Sequence, residues 1–184
     1  MQEWCSKSGM TDARPVSASR ITLSRIMDDL DTNLHGNVHG GVIMKLVDDV
    51  GGTVAARHAG GRAVTVAMDE MVFLVPVHVG DLVYASASVN WAGRTSVEVG
   101  VRVTAERWDE IDQQPRHVAS AYLVYVGIDE EEKPRLVPPV RTDTAEDERR
   151  FGEAEIRRSN RLARREAILA ARAAEAGDAA GGYR

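Results

Sequence analysis

The sequence predicts an α+β domain in which one antiparallel sheet wraps a single apolar-faced helix. Three observations carry that expectation. From Val42 to about His58, apolar side chains recur at helical spacing. The apolar segments after them switch to a period of two. The links between those later segments are short, whereas parallel strands need crossovers of a dozen or more residues.

Taken in order, residues 1–19 are polar and broken by Ser, Gly and Pro15, and read as a mobile leader. A first strand is expected between Arg20 and Met27, where Ile21 and Leu23 alternate with Thr22 and Ser24. Asp31–Gly41, DTNLHGNVHGG, is too rich in Gly, Asn and Asp for a regular element and reads as a long loop. In the helix, Ile43, Leu46, Val47, Val50 and Val54 fall at i, i+3, i+4, i+7 and i+11, one amphipathic face. Gly60 and Gly61 end it.

Strands follow at Val64–Val75, Asp81–Trp91, Arg94–Arg107 and His117–Gly127, all rich in β-branched or aromatic residues. In the third, Val97, Val99, Val101 and Val103 alternate with polar or small residues. Turns at 76–81, 92–94 and 109–115 join them, and the domain spans residues 20–140. After Pro138 and Pro139 the composition shifts to Arg, Glu and Ala. Residues 141–176 therefore read as a charged helix, docked along a stripe of Phe151, Leu162, Leu169 and Ala173, and 177–184 as a disordered tail.

With 184 residues, 43% of them hydrophobic and 28% charged, the chain has the length and composition of about one globular domain. A net charge of -5 argues against non-specific nucleic-acid binding. The single cysteine, Cys5, excludes an intrachain disulfide and a cysteine-based zinc site. No apolar run is long enough to span a bilayer, and the leader lacks the apolar core of a secretory signal. The chain reads as soluble and cytoplasmic.

The loop HGNVHGG and the pair Asp48–Asp49 hold the unusual chemistry. Gly40 and Gly41 open the helix, where free amides and the positive dipole end suit an oxygen that becomes negative during reaction. On a helical wheel Asp48 falls roughly 140° from the apolar stripe, beside Met44, Gly51, Gly52 and Ala55. Among such small side chains a partner subunit or a ligand can approach, and a desolvated carboxylate can serve as a base. Asp49 lies with Lys45, its i, i+4 neighbour, on a solvated face. His35 and His39 are four apart, but Gly36 and Gly40 argue against a helical ligand pair, and no metal is expected. His58, His78 and His117 read as surface or strand positions. No serine has nucleophile-elbow context.

DTNLHGNVHGGVIMKLVDDVGG, GRAVTVAMDEMVFLVPVHVGDLV, GRTSVEVGVRV and PRLVPPV occur in this order over residues 20–140. Together they resemble the cytosolic acyl-CoA thioester hydrolases of the hotdog superfamily, and the charged helix resembles the C-terminal extension of the brain-type members. The resemblance implies a hotdog fold that dimerises through a continuous sheet, assembles as a homodimer or a trimer of dimers, and forms its active site at the dimer interface. It implies that Asn37 is the catalytic loop asparagine and Asp48 the helix carboxylate, with Asp49 as the neighbouring alternative. Each site then takes Asn37 and Asp48 from different subunits. The implied reaction is hydrolysis of fatty acyl-CoA, with Asp48 as base or nucleophile, Asn37 orienting water or substrate, and the Gly40 and Gly41 amides as oxyanion hole.

No separate cofactor is implied, since CoA is part of the substrate. Its phosphates call for basic residues, and Arg62, Arg94, Thr95 and Ser96 are the candidates at strand starts. Met68, Met71 and Phe73 are candidates for the acyl slot. Two other functions compete: an acyl-thioester dehydratase or hydratase using His35 or His39 with Asp48, and a non-catalytic acyl-CoA binding module.

Overall fold

The computed structural model describes residues 12–110 and 114–181, with the backbone alone for 174–181. Its elements are β1 (Arg14–Pro15), β2 (Ile21–Ile26), α1 (Gly40–Ala59), β3 (Ala63–Phe73), β4 (Asp81–Ala92), β5 (Ser96–Arg107), β6 (Arg116–Gly127), β7 (Val140–Arg141) and α2 (Ala145–Gly181). Five strands form one antiparallel sheet in the order β2-β4-β5-β6-β3, and α1 packs against all five. This is the expected α+β hotdog arrangement. The short turns dictate neighbours β4-β5 and β5-β6, while β3 crosses over to the far edge beside β6.

Ile43, Val47, Val50 and Val54 on α1 are buried against Val97, Val99, Val101 and Val103 of β5 and Leu123 of β6. Valine and isoleucine are mediocre helix formers. Burial therefore holds α1 in place, at roughly 1.5–3 kcal/mol for each large aliphatic side chain. The helix begins at Gly40, two residues before the apolar spacing suggests, because His39 caps it: Nδ1 accepts from the Gly41 amide at 2.9 Å.

Several expectations need correction. Residues 12–19 are not a mobile leader. β1 pairs with β7, Val16 is buried, and Arg14 Nη1 donates at 2.8 Å to the carbonyls of both Arg57 and His58 at the end of α1. At this helix end the Arg57 carbonyl otherwise receives only the Gly60 amide, at 3.3 Å, so a guanidinium there is favourable. Residues 1–11, with Cys5, and 182–184 lie outside the described residues. β5 starts at Ser96, which leaves Arg94 and Thr95 in the preceding turn.

The charged helix starts at Ala145 rather than 141, because Val140–Arg141 is taken up as β7, and it continues through 177–181 of the expected tail. It also docks on a different face. Leu162 and Leu169 are 45% and 53% exposed, while Ala154 is fully buried and a row of arginines reaches the outer face of the sheet. Arg150 Nε donates to Asn90 Oδ1 at 3.0 Å, Arg157 Nη2 to Glu98 Oε1 at 2.7 Å, and Arg161 pairs with Asp69. The Arg157 guanidinium also lies 3.7 Å above the Tyr122 ring. Gly100 makes room for this latch, since a Cβ there would lie 2.6 Å from Asn90 Nδ2 and 2.9 Å from Arg150 Nη2. The outer sheet face carries buried Glu98 and Asn90, so polar partners rather than a leucine stripe satisfy it.

His58 is likewise not a surface position. It is 1% exposed at the end of α1, with Nε2 2.9 Å from the Pro138 carbonyl and Nδ1 buried without a partner. Nε2 therefore carries the proton.

Two predictions follow from these buried groups. Burial, aided by the positive charge of Arg14 and opposed by the Pro138 bond, holds the His58 imidazole below its usual value. The unfolded chain, with a value of about 6.5, then takes up the proton first as pH falls, so stability present above pH 6.5 is lost toward the lower folded-state value. His58→Gln keeps a donor for Pro138 and is expected to flatten this loss in denaturant midpoints measured from about pH 8 to pH 5. An equally steep loss in the variant would place the pH sensitivity elsewhere. At the latch, Arg157→Ala strands a buried carboxylate and is expected to cost about 3 kcal/mol in chemical denaturation. The double change Glu98→Leu with Arg157→Leu should recover most of that, and a double variant as unstable as Arg157→Ala would refute the account.

Candidate active site

The loop before α1 is held by a buried carboxylate. Asp31 accepts from Arg25 Nη2 at 2.7 and 2.9 Å and from the Asp28 amide at 3.1 Å, while its carbonyl receives the His39 amide at 2.7 Å. The Val38 amide donates to the Val77 carbonyl at 2.8 Å, tying the loop to the segment after β3. Inside it, Asn33 Oδ1 accepts from the amides of His35 at 2.8 Å and Asn37 at 3.3 Å, an Asx turn. With Oδ1 committed to two backbone donors, the Asn33 Nδ2 group keeps two N–H donors, which have no partner among the described residues. Asn37 contributes its backbone to the same turn, and its side chain makes no hydrogen bond among the described residues.

A cavity of about 400 Å³ opens beside this loop, lined by Asn33, Asn37, Gly40, Ile43, Phe73 and Val77. A second groove, of about 580 Å³, is lined by Asn33, Leu34, His35, His39 and Gly40. Asn33 and Gly40 border both. Of the two glycine amides, that of Gly41 is engaged by His39, whereas that of Gly40 has no partner among the described residues. Phe73 lines the first cavity, while Met68 and Met71 are half-buried against the core.

Asp48 stands eight residues further along α1, about 12 Å up the helix axis from Gly40 at 1.5 Å per residue. Its Oδ1 accepts from Thr65 Oγ1 of β3 at 2.8 Å, and the Tyr125 hydroxyl of β6 lies 3.3 Å from Oδ1 and 3.4 Å from the Asp48 carbonyl. Oδ2 has no partner among the described residues. The gap opened by Gly51 is thus filled by Tyr125 of the same chain, where the sequence suggested a partner or a ligand: a Cβ on Gly51 would lie 2.3 Å from the phenol oxygen. Burial first, and then the Asp48 charge, push the Tyr125 phenol far above its ordinary range, so it remains a proton donor. Asp48 itself is exposed in the single chain. Asp49 pairs with Lys45 at 2.6 Å on the solvent side.

Arg62, Arg94, Thr95 and Ser96 come together at one end of the sheet. The Gly127 amide donates to the Thr95 carbonyl, and the Ile128 amide to that of Arg62. Arg62 precedes Thr65 by three residues and faces Glu132 at 3.6 Å on the exposed surface.

The structure therefore places loop donors at the start of α1 and a carboxylate two turns along it. Sequence reading located Asp48 and the glycines but passed over Asn33, Thr65 and Tyr125. An Asn followed by polar and Gly residues does signal an Asx turn, so Asn33 was detectable. Thr65 and Tyr125 meet Asp48 only across the β3-β6 pairing, which no local pattern encodes.

Residues 35–110 match the Thioesterase superfamily. The cytosolic acyl coenzyme A thioester hydrolase of Mus musculus is 35% identical over 151 residues, covering 82% of this chain and 40% of the mouse protein. The chain thus spans about two fifths of that relative. An uncharacterized acyl-CoA thioester hydrolase of Bacillus subtilis is 33% identical over 136 residues, 74% of this chain and 78% of that one. Among solved structures, the Staphylococcus aureus acyl-CoA hydrolase in complex with butyryl coenzyme A superposes with a TM-score of 0.79 at 31% identity, covering 89% of this chain and 97% of the other. The same hydrolase has been solved with alanine in place of an asparagine, an aspartate and a threonine, three positions spaced as Asn33, Asp48 and Thr65 are here. A hexameric acyl-CoA thioesterase gives a TM-score of 0.79 at 32% identity, covering 84% of this chain and 97% of that one.

Proposed function

The chain belongs to the acyl-CoA thioester hydrolases of the Thioesterase superfamily, and from that premise we propose that it hydrolyses acyl-CoA in a site completed by a second copy of itself. The observation that carries the reading is the separation of the two half-sites. Asp48 lies too far along α1 from the loop donors of its own chain to act on one thioester with them. A twofold partner brings Asp48 of one copy to the loop of the other.

The unpaired edge of β3 supports such a partner. It is an edge strand of 11 residues with Val64, Val66, Val72 and Phe73 exposed. Long apolar edges of this kind invite strand pairing, and a second β3 in antiparallel register closes this one. Dimers formed so, assembled as trimers, agree with the hexameric state of the similar thioesterase.

The loop asparagine of the mechanism is Asn33 rather than Asn37. Its side-chain oxygen is locked by two backbone amides and its N–H group is free, a preorganised donor, and its spacing to Asp48 matches the substituted pair of the S. aureus hydrolase. The Gly40 amide is the second donor to the carbonyl oxygen. The Gly41 amide is occupied by His39, and this removes Gly41 from the oxyanion role. Asp48, with Oδ1 held by Thr65, takes a proton from water through Oδ2 as the water oxygen bonds the acyl carbon. The C–S bond breaks, and CoA leaves as a thiolate that the same proton then neutralises. With a thiol value of about 8.5, no separate strong acid is needed. Asp49, tied to Lys45, stays outside the reaction. Arg62, Arg94, Thr95 and Ser96 are positioned to receive the CoA phosphates near the Asp48 half-site. The mouse relative is named cytosolic and no described helix is long and apolar enough to cross a membrane, in keeping with a cytoplasmic reaction.

The test is thiol release from acyl-CoAs of increasing chain length. Asp48→Asn and Asn33→Ala are each expected to lower kcat at least 100-fold, and Asn37→Ala to leave it within about threefold. Chains carrying Asn33→Ala co-expressed with chains carrying Asp48→Asn should regain about a quarter of wild-type activity, because half the random dimers hold one intact site of two. Absence of recovery would place both residues in one chain's site. Binding of acyl-CoA without thiol release would make the protein a binding module instead.

A further inference from the structure

We propose that Tyr125 is a positioning residue for the reaction: inserted into the notch left by Gly51, its hydroxyl works with Thr65 to hold Asp48 Oδ1, so that Oδ2 alone is presented to water. This rests on Asp48 being the reacting carboxylate.

Four observations converge. Tyr125 is among the largest fully buried side chains, so its hydroxyl must find its partner inside the protein; the carboxylate and carbonyl of Asp48 lie within reach, with the Thr65 hydroxyl beside them. Gly51 sits in the middle of α1, where glycine costs roughly 1 kcal/mol relative to alanine. A Cβ would lie 2.3 Å from the phenol oxygen, and so the helix gives up propensity for a notch that admits one particular atom. The terminal torsion of an aspartate is broad and two-fold, so one donor leaves the carboxylate free to swing. Thr65 below and Tyr125 beside the same oxygen remove that freedom. Finally, the phenol stays protonated across the working pH range, and it acts as a fixed donor and not as a proton shuttle. At 3.3 Å the contact is long for a hydroxyl donor, as catalytic contacts commonly are before substrate and partner close the site.

A tyrosine that merely fills the core would be replaced by phenylalanine without kinetic effect. Tyr125→Phe is expected to lower kcat roughly tenfold while KM stays within about twofold and the melting temperature barely moves. Gly51→Ala, which leaves the tyrosine in place but displaces its hydroxyl, should produce a similar loss. In the Tyr125→Phe background it should add little, because the 2.3 Å overlap is with the oxygen that phenylalanine lacks, and the ring carbon behind it at 3.1 Å needs a shift of only a few tenths of an ångström. Unchanged kcat in Tyr125→Phe, with Asp48→Asn inactive, would overturn the inference and leave the Asp48 reading standing. A rise in KM alone, or losses that multiply in the double variant, would also overturn it by showing independent packing effects. If Tyr125→Phe does not fold, Gly51→Ala decides: full kcat in that variant refutes the inference. Activity surviving in Asp48→Asn, or no thiol release from the wild type, would bring down both.

Discussion

One narrow stripe of α1, buried against the inner face of the sheet, sets the position of everything around it. Ile43, Val47, Val50 and Val54 meet the valines of β5, and this fixes the helix in rotation as well as in position. Rotation is what matters for chemistry. Turned by one residue, or about 100°, the helix would carry Asp48 away from Thr65 and Tyr125. Because protein interiors are close-packed, such a turn has no intermediate setting. A stripe of small β-branched residues thus aims a carboxylate it never touches.

The outer face of the same sheet is organised by the opposite physics. Glu98 and Asn90 are buried there, and arginines from α2 meet them, so the cover is polar and geometrically demanding. A buried ion pair of this type contributes little net stability over an apolar pair, but it admits one docking register. The Leu162 and Leu169 stripe, free to slide along an apolar surface, would be less selective. The arginine row reaches from Asn90 on β4 to Asp69 on β3, so α2 braces the strand that also carries Thr65.

The candidate site obeys a third constraint, the length of a helix turn. Two turns of α1 separate the Gly40 amide from Asp48, and among the described residues no side-chain hydrogen bond links the two. In the dimer we propose, a twofold axis along paired β3 edges places unlike ends of α1 against each other. The exposed valines of β3, costly in a lone chain, would be covered by that pairing.

The α+β class, the order of elements, the apolar stripe and the separate faces of Asp48 and Asp49 were legible in the sequence, because each is a periodicity written in consecutive residues. So was the glycine-opened helix, although His39 moved its start and claimed one of its amides. Residues that act across strands were not legible. Thr65 and Tyr125 are 17 and 77 residues from Asp48, and only the β3-β6 pairing brings them to it. The same holds for His58, whose acceptor is a carbonyl 80 residues away, and for the docked face of α2, chosen by a buried glutamate on β5. Local spacing determined which segments form and which way each could face. Long-range pairing alone decided which polar groups are left without water and must therefore find one another.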